Sequence, residues 1–178
     1  MTLNIPASDA LEARIGLLLQ QSGLKLAVAE SCTGGLVCDR ITNVPGSSAY
    51  FVGGVVAYAY EAKLKLLGIP WDTLQSDGAV DRETVLAMAR GVRYALQADL
   101  GLSVSGIAGP AGGMPGKPVG LTWISLSAPD GEWARVFIWA GDRLQNKASS
   151  AQAALRLLYD YLQGERSLEM DDRAGRGE

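Results

Sequence analysis

Histidine is absent from all 178 residues of the chain, and that absence removes more chemistry than any residue present adds. No Ser-His-Asp triad, Cys-His pair or imidazole-built metal centre can form. A serine nucleophile here would have to pass its proton to a lysine or a carboxylate, as in the serine-lysine variants of triad chemistry. Cysteine is nearly as scarce. Cys32 and Cys38 are the two, too few for a disulfide framework and, without histidine, short of a four-ligand zinc site unless carboxylates join them. They read as buried reduced thiols ahead of a redox pair.

Long hydrophobic runs are missing as well. No window reaches the roughly 18 to 20 apolar residues of a membrane span, and Met1 to Ala10 holds no basic stretch followed by an apolar one, so a cytosolic protein is expected. An excess of positive charge is also lacking: 16 Lys and Arg stand against 19 Asp and Glu, a formal net charge of −3. That balance argues against a nucleic-acid or anionic-membrane surface and favours a small-molecule partner. The four tryptophans, Trp71, Trp123, Trp133 and Trp139, are scattered and read as core or rim rather than as a stacking platform for bases.

What is present is an apolar fraction of 48%, enough for one domain to bury a full core without metals or cross-links. Leu11, Ile15, Leu18 and Leu19 recur at helical spacing before Gly23, predicting a helix over 8–22. Residues 24–29 read as a strand that runs into Ser31-Cys32-Thr33-Gly34-Gly35, and 36–42 as a short helix stopped by Val44-Pro45-Gly46. A strand over 53–58 and a helix over 61–67 follow, then a helix opened by Asp81 with Val85, Met88, Val92 and Leu96 on one face, and a strand over 100–107. Segments 119–126 and 133–139, joined by Ala128-Pro129-Asp130-Gly131, predict an antiparallel hairpin, which makes the sheet mixed. A last helix is expected over 142–162, and the charged segment 164–178 has too few apolar residues to pack, so disorder is expected there. The pattern is that of a single-domain α/β fold over 1–163, a three-layer αβα sandwich.

Three constellations could carry chemistry. Ser31 lies at a strand-to-helix turn, where the amides of Thr33, Gly34 and Gly35 could receive an anion or a developing oxyanion; a helix-capping serine is the plainer reading. Lys63 follows Tyr58 by five residues and falls in the first turn of a helix, where the helix dipole and desolvation lower a lysine pKa toward that of a usable base; a solvated surface lysine is its plainer reading. Residues 105–118 form a second glycine-rich stretch. Ala111 stands where a Walker loop needs glycine and Pro118 where it needs Ser or Thr, so this is no such phosphate loop, and a lid or wall against a ligand competes with a surface hairpin. In Gly141-Asp142-Arg143, Asp142 is a helix cap and Arg143 a partner for phosphate or carboxylate.

Together, Ala29-Glu30-Ser31-Cys32-Thr33-Gly34-Gly35, Val44-Pro45-Gly46-Ser47-Ser48, Tyr58 with Glu61-Ala62-Lys63, Gly78-Ala79-Val80, Ser105-Gly106-Ile107-Ala108-Gly109-Pro110, Lys117-Pro118-Val119-Gly120 and Gly141-Asp142-Arg143 resemble the CinA carboxy-terminal family over about residues 8–162. The resemblance implies an amidohydrolase that converts nicotinamide mononucleotide to nicotinic acid mononucleotide and ammonia. It implies no metal and no cofactor. Its serine and lysine map onto Ser31 and Lys63, and its tyrosine onto Tyr58, expected to orient the proton transfer. On the substrate side the expected residues are Thr33, Gly34, Gly35, Ser105, Gly106 and Arg143, with a pyridine nucleotide as small-molecule partner; a homodimer is expected as the commonest default assembly. Two other readings stand beside it: a catalytically silent relative that binds a nucleotide or a partner protein, and a thiol hydrolase using Cys32. Tyr60 and Met114 support the silent relative. Tyr60 replaces the family's usual asparagine and, if the strand continues past Tyr58, shares its face by period-two alternation.

Overall fold

In the computed structural model, residues 10–165 are described. The segment expected to be disordered, 164–178, lies outside the described residues from 166 onward. Chain order is α1 (Leu11–Ser22), β1 (Leu26–Glu30), α2 (Leu36–Thr42), β2 (Phe51–Val56), α3 (Tyr60–Leu67), α4 (Trp71–Ser76), α5 (Arg82–Ala95), β3 (Leu100–Gly106), β4 (Leu121–Ala128), β5 (Gly131–Ile138) and α6 (Arg143–Leu162). The five strands form one mixed sheet in the order β2-β1-β3-β4-β5. β2, β1 and β3 are parallel, and β3, β4 and β5 antiparallel, with Ala128 paired to Gly131 across the expected hairpin turn.

Period two divides the buried central strands between two cores. Leu26 and Val28 of β1, and Leu100, Leu102 and Val104 of β3, face one layer, where Ile15, Val37, Ile41, Leu155 and Leu158 bring in α1, α2 and α6. Ala27 and Ala29 face the other, against Leu67, Leu74, Met88 and Val92 of α3, α4 and α5. The sandwich thus has α1, α2 and α6 on one side and α3, α4 and α5 on the other, as the alternation predicts. No helix among the described residues is long and apolar enough to cross a membrane.

The α5 side of the sheet is built for close approach. Ser103 and Ser125 both donate to the carbonyl of Val85, at 2.7 and 2.8 Å, and a Cβ on Gly101 would overlap the carbonyl of Ala89. On the opposite flank of α5, a Cβ on Gly91 would overlap the Leu67 carbonyl at the end of α3. Two glycines therefore set the spacing from the sheet through α5 to α3, and α3 carries Lys63.

Two boundaries differ from the sequence reading. β2 ends at Val56 rather than Tyr58, because Ala59 is already the extended N-cap of α3. Only the Ala57 amide continues the ladder, to the Glu30 carbonyl at 2.9 Å. α4 was not foreseen. Its six residues present one buried apolar side chain, Leu74, too few for a period to show.

Replacing Gly91 by alanine should therefore push α3 off α5. The expected loss is about 1–3 kcal/mol of stability, the usual range for overpacking, read from the urea midpoint at unchanged slope. An unchanged midpoint would show that the α3–α5 spacing is not set by this glycine.

Candidate active site

The carboxyl ends of the three parallel strands meet at one place, the usual location of sites in open α/β sheets. Ser31 follows β1 directly. Its amide continues the ladder to the Val104 carbonyl at 2.9 Å, which fixes the backbone, and its side chain is 7% exposed. The chain leaving β2 turns into α3 and brings Lys63 inward, fully buried. Lys63 Nζ lies 3.0 Å from Ser31 Oγ, 2.8 Å from the Ala57 carbonyl and 3.2 Å from the Tyr58 carbonyl.

This cage suits both protonation states of the amine. A protonated amine has three N–H groups for three acceptors. A neutral one has two, which the carbonyls accept, and its lone pair is then left for the Ser31 hydroxyl to donate into. Burial lowers the Lys63 pKa to about 8. The attraction of a Cys32 thiolate would raise it, but burial, and after it the charge of Glu30, pushes Cys32 up to about 12, so that thiol is uncharged near neutrality. A thiol held that high carries no resting thiolate, which counts against the thiol-hydrolase reading.

Tyr58 is not placed as expected. Its carbonyl, not its ring, meets Lys63, while the hydroxyl accepts from Arg143 Nη2 at 3.1 Å and the ring stands 60% exposed. The reason is the early end of β2, which leaves Tyr58 on the connecting turn. Tyr60 is likewise not on the strand but opens α3. Its hydroxyl accepts from the Ala79 amide at 3.1 Å and its ring meets Trp71 edge-on.

The oxyanion expectation also needs correction. The Gly34 amide donates to the Ser31 carbonyl at 3.2 Å, and the Gly35 amide to Glu30 Oε2 at 2.9 Å. Among the described residues, the amides of Cys32 and Thr33 make no hydrogen bond to another residue, and the buried Thr33 hydroxyl has no partner. The open donors thus sit directly after Ser31, not two or three residues on. Gly34 and Gly35 supply instead two successive left-handed φ values, 64° and 101°, which carry the chain into α2.

Glu30 has a part that sequence reasoning missed. Fully buried at the end of β1, its carboxylate accepts from the amides of Gly35, Val37 and Cys38 at 2.9, 3.2 and 2.9 Å. It is the cap that α2 lacks from its own N-terminal residue. A glutamate inside an otherwise apolar strand, a few residues before a helix, is the signal that could have found it. Burial and this same carboxylate push the Cys38 thiol up as well.

Ser105 and Gly106, expected on the substrate side, make packing contacts within the chain. The fully buried Ser105 donates to the Ala79 carbonyl at 2.6 Å, and a Cβ on Gly106 would meet Thr122 Oγ1 at 2.6 Å and Cys32 Sγ at 3.1 Å. Arg143 opens α6 behind the expected Asp142 cap, where Asp142 and Gln145 complete a capping box. Its Nη1 donates to the Gly109 carbonyl at 2.7 Å, so it ties the glycine-rich segment to Tyr58. At the tip of that segment Met114 pairs with Lys117, and Lys117 Nζ reaches the Asp77 carbonyl. Lys147, one turn after Arg143, was also missed. A Cβ on Gly34 would meet its Nζ at 3.7 Å, and both residues line a hollow of about 380 Å³ with Thr33, Gly35, Leu36, Asp39 and Leu144. Two cations four apart at a helix start were the available signal.

The cap gives a direct expectation. Glu30→Gln turns one acceptor into a donor facing an amide, which should cost about 1–3 kcal/mol of stability and raise amide exchange at Gly35, Val37 or Cys38. Unchanged exchange at all three would show that the carboxylate does not cap α2.

The comparisons with known proteins bear on family and fold. Residues 8–162 match the CinA C-terminal domain. A Halothermothrix orenii protein described as competence-damage inducible is 51% identical over 154 residues, and a CinA-like protein of Chloroherpeton thalassium 48% over 156. They cover 86% and 85% of this chain, which spans only 37% of the length of each. Among solved structures, a competence/damage inducible protein from Agrobacterium tumefaciens is 37% identical with a TM-score of 0.84, covering 92% of this chain and 99% of that one. The competence damage-inducible protein A from Klebsiella pneumoniae is 32% identical with a TM-score of 0.83, covering 86% and 95%. By sequence over most of its length, and by fold, this chain belongs to the CinA C-terminal domain family.

Proposed function

We propose that the protein hydrolyses the carboxamide of nicotinamide mononucleotide through an acyl-enzyme on Ser31. The observation that carries this reading is the 3.0 Å approach of a fully buried lysine amine to a serine hydroxyl, with the other two amine positions on backbone carbonyls. Membership of a family that includes amidases supports the reaction class.

In this mechanism Ser31 Oγ attacks the amide carbon as its proton passes to neutral Lys63 Nζ, and the carbonyl oxygen becomes an oxyanion facing the Cys32 and Thr33 amides. Collapse breaks the C–N bond. Lys63 gives its proton to the departing nitrogen, which leaves as ammonia. Water then attacks the ester, Lys63 takes and returns a proton in the same way, and the acid is released with Ser31 restored. Arg143, exposed and anchored through Tyr58 and Gly109, and Lys147 one turn on, are the cations proposed to seat the nucleotide phosphate.

The residues that favoured a silent relative do not hydrogen-bond to Ser31 or Lys63. Tyr60 is committed to Ala79 and Trp71, and Met114 is 60% exposed on its loop.

Ser31→Ala should reduce ammonia release from nicotinamide mononucleotide by at least about 1,000-fold while substrate still binds, and Cys32→Ala should change it far less. Ammonia release by Ser31→Ala within tenfold of the parent chain would overturn the assignment.

Because the base must be neutral, kcat/KM should rise with pH up to the Lys63 pKa of about 8, level off above it, and fall about tenfold per pH unit well below it. Lys63→Ala should lose this ionisation together with the activity. A profile that falls across the same interval would mean that the protonated amine is required.

A further inference from the structure

A hollow of about 810 Å³ lies away from Ser31, between α6 and the edge strand β5. It lies within the roughly 300–1,000 Å³ range of small-molecule sites. Phe137 of β5 and Trp139, just past its end, line one side as a pair whose rings stack on each other at 4.8 Å and 8°. The Trp139 indole donates to Ser150 Oγ at 3.0 Å, which fixes the plane of that pair. The floor is the short-side-chain face of α6 around Ala148 and Gln152, and Arg40, Arg135 and Arg156 stand at the rim.

The charges at the rim do not cancel. Arg40 is matched by Glu12 at 2.8 Å. Arg135 Nη1 and Arg156 Nε, however, share the single carboxylate of Asp160, at 3.1 and 2.6 Å, so one positive charge is left over. Each of these two guanidiniums gives one N–H to Asp160, and the described residues supply no hydrogen-bond acceptor for the others. A fixed, stacked aromatic pair beside spare guanidinium donors complements a flat ring that carries an oxyanion, since such a ring can extend the stack or pack on its edges.

We propose that this groove is a second ligand site, separate from the Ser31–Lys63 pair, for a planar aromatic ring bearing a phosphate or carboxylate. The ring packs on the stacked Phe137–Trp139 pair, and the anionic group takes the free N–H groups of Arg135 and Arg156. This assignment does not rest on the amidase reading.

Adenosine monophosphate is a suitable probe, because it has no carboxamide to hydrolyse. Titrated into the full chain at low salt, it should quench tryptophan fluorescence saturably. Adenosine alone and inorganic phosphate alone should bind at least about tenfold more weakly, since each satisfies half of the site. Arg156→Ala, at an exposed position, and Gln152→Trp, which fills the floor, should each weaken binding by about tenfold or more. Trp139→Phe should keep the binding in equilibrium dialysis and lose the quench, and Arg143→Ala should leave both intact. Circular dichroism checks the fold of each variant, and Arg156→Ala alone decides the matter if Gln152→Trp misfolds. Nicotinic acid, as a carboxylate arm, tells whether the oxyanion must be a phosphate.

Four results would overturn the proposal. No saturable binding up to about 10 mM means that no site is present. Binding lost in Arg143→Ala but kept in Arg156→Ala places the nucleotide at the Ser31 end. Phosphate binding as tightly as the nucleotide reduces the groove to an anion patch. A dimer that dissociates in Gln152→Trp would also overturn it, by making the groove an interface between copies.

Discussion

The arrangement of this site depends on how one buried amine is satisfied. A lysine taken out of water is costly unless its hydrogens find acceptors. Lys63 finds them in two successive carbonyls, Ala57 and Tyr58, which face one nitrogen because the chain leaves the sheet after Val56. Had β2 run on as a regular strand, consecutive carbonyls would have pointed to opposite edges. The abrupt end of β2 therefore makes the amine cage, and the third position of the cage falls at Ser31 because β1 ends alongside. Holding α3 at the required depth falls to α5 and to the glycines that let it approach both neighbours.

Glu30 and Lys63 are both fully buried near these strand ends, yet they are not an ion pair. Glu30 is used on the amides of Gly35, Val37 and Cys38, and Lys63 on two carbonyls and a hydroxyl. The separation matters chemically. A carboxylate in contact with the amine would stabilise its charged form and oppose the lowering by burial. With the carboxylate turned toward α2, the amine can lose its proton without leaving a paired anion stranded. The same turn of chain then allots its amides, three to Glu30 and one to the Ser31 carbonyl, and leaves those of Cys32 and Thr33 open beside the serine.

The layers, the hairpin, and the approach of Ser31 to Lys63 were legible because each rests on a local signal: alternation, helical period, turn residues, and a polar turn at a strand end. What was misread depended on contacts across the fold. The amides of Gly34 and Gly35 looked free because a cap supplied by the preceding strand leaves no mark at the helix start. Tyr58 looked like part of the catalytic pair because its neighbour in sequence, not its side chain, decides which atom reaches Lys63. Ser105 and Gly106 looked like ligand contacts because a strand end rich in small residues is also what close packing against Ala79, Thr122 and Cys32 demands. Lys147 and Glu30 went unnoticed for the opposite reason: each is ordinary in its segment and acquires a role only where α6 and α2 converge on the turn.

α6 carries both proposed sites on different faces, Arg143 and Lys147 toward the Ser31 turn, Ala148 and Gln152 toward the groove. Contacts run between them. The Trp139 indole bonds Ser150, Ser150 Oγ lies 3.0 Å from Thr122 Oγ1, and Thr122 packs on Gly106 against Cys32. Contiguity of this kind carries no coupling free energy by itself, because coupling needs an element with two arrangements that each ligand favours differently. The path has fixed ends. Asp142 and Gln145 cap the helix reciprocally, Asn146 bonds both the Gly141 amide and the Ala108 carbonyl, and Ser150 also holds the Asn146 carbonyl at 2.7 Å. A helix held in this way transmits position rather than a switch, so occupation of the groove and of the amide site are expected to be independent of one another.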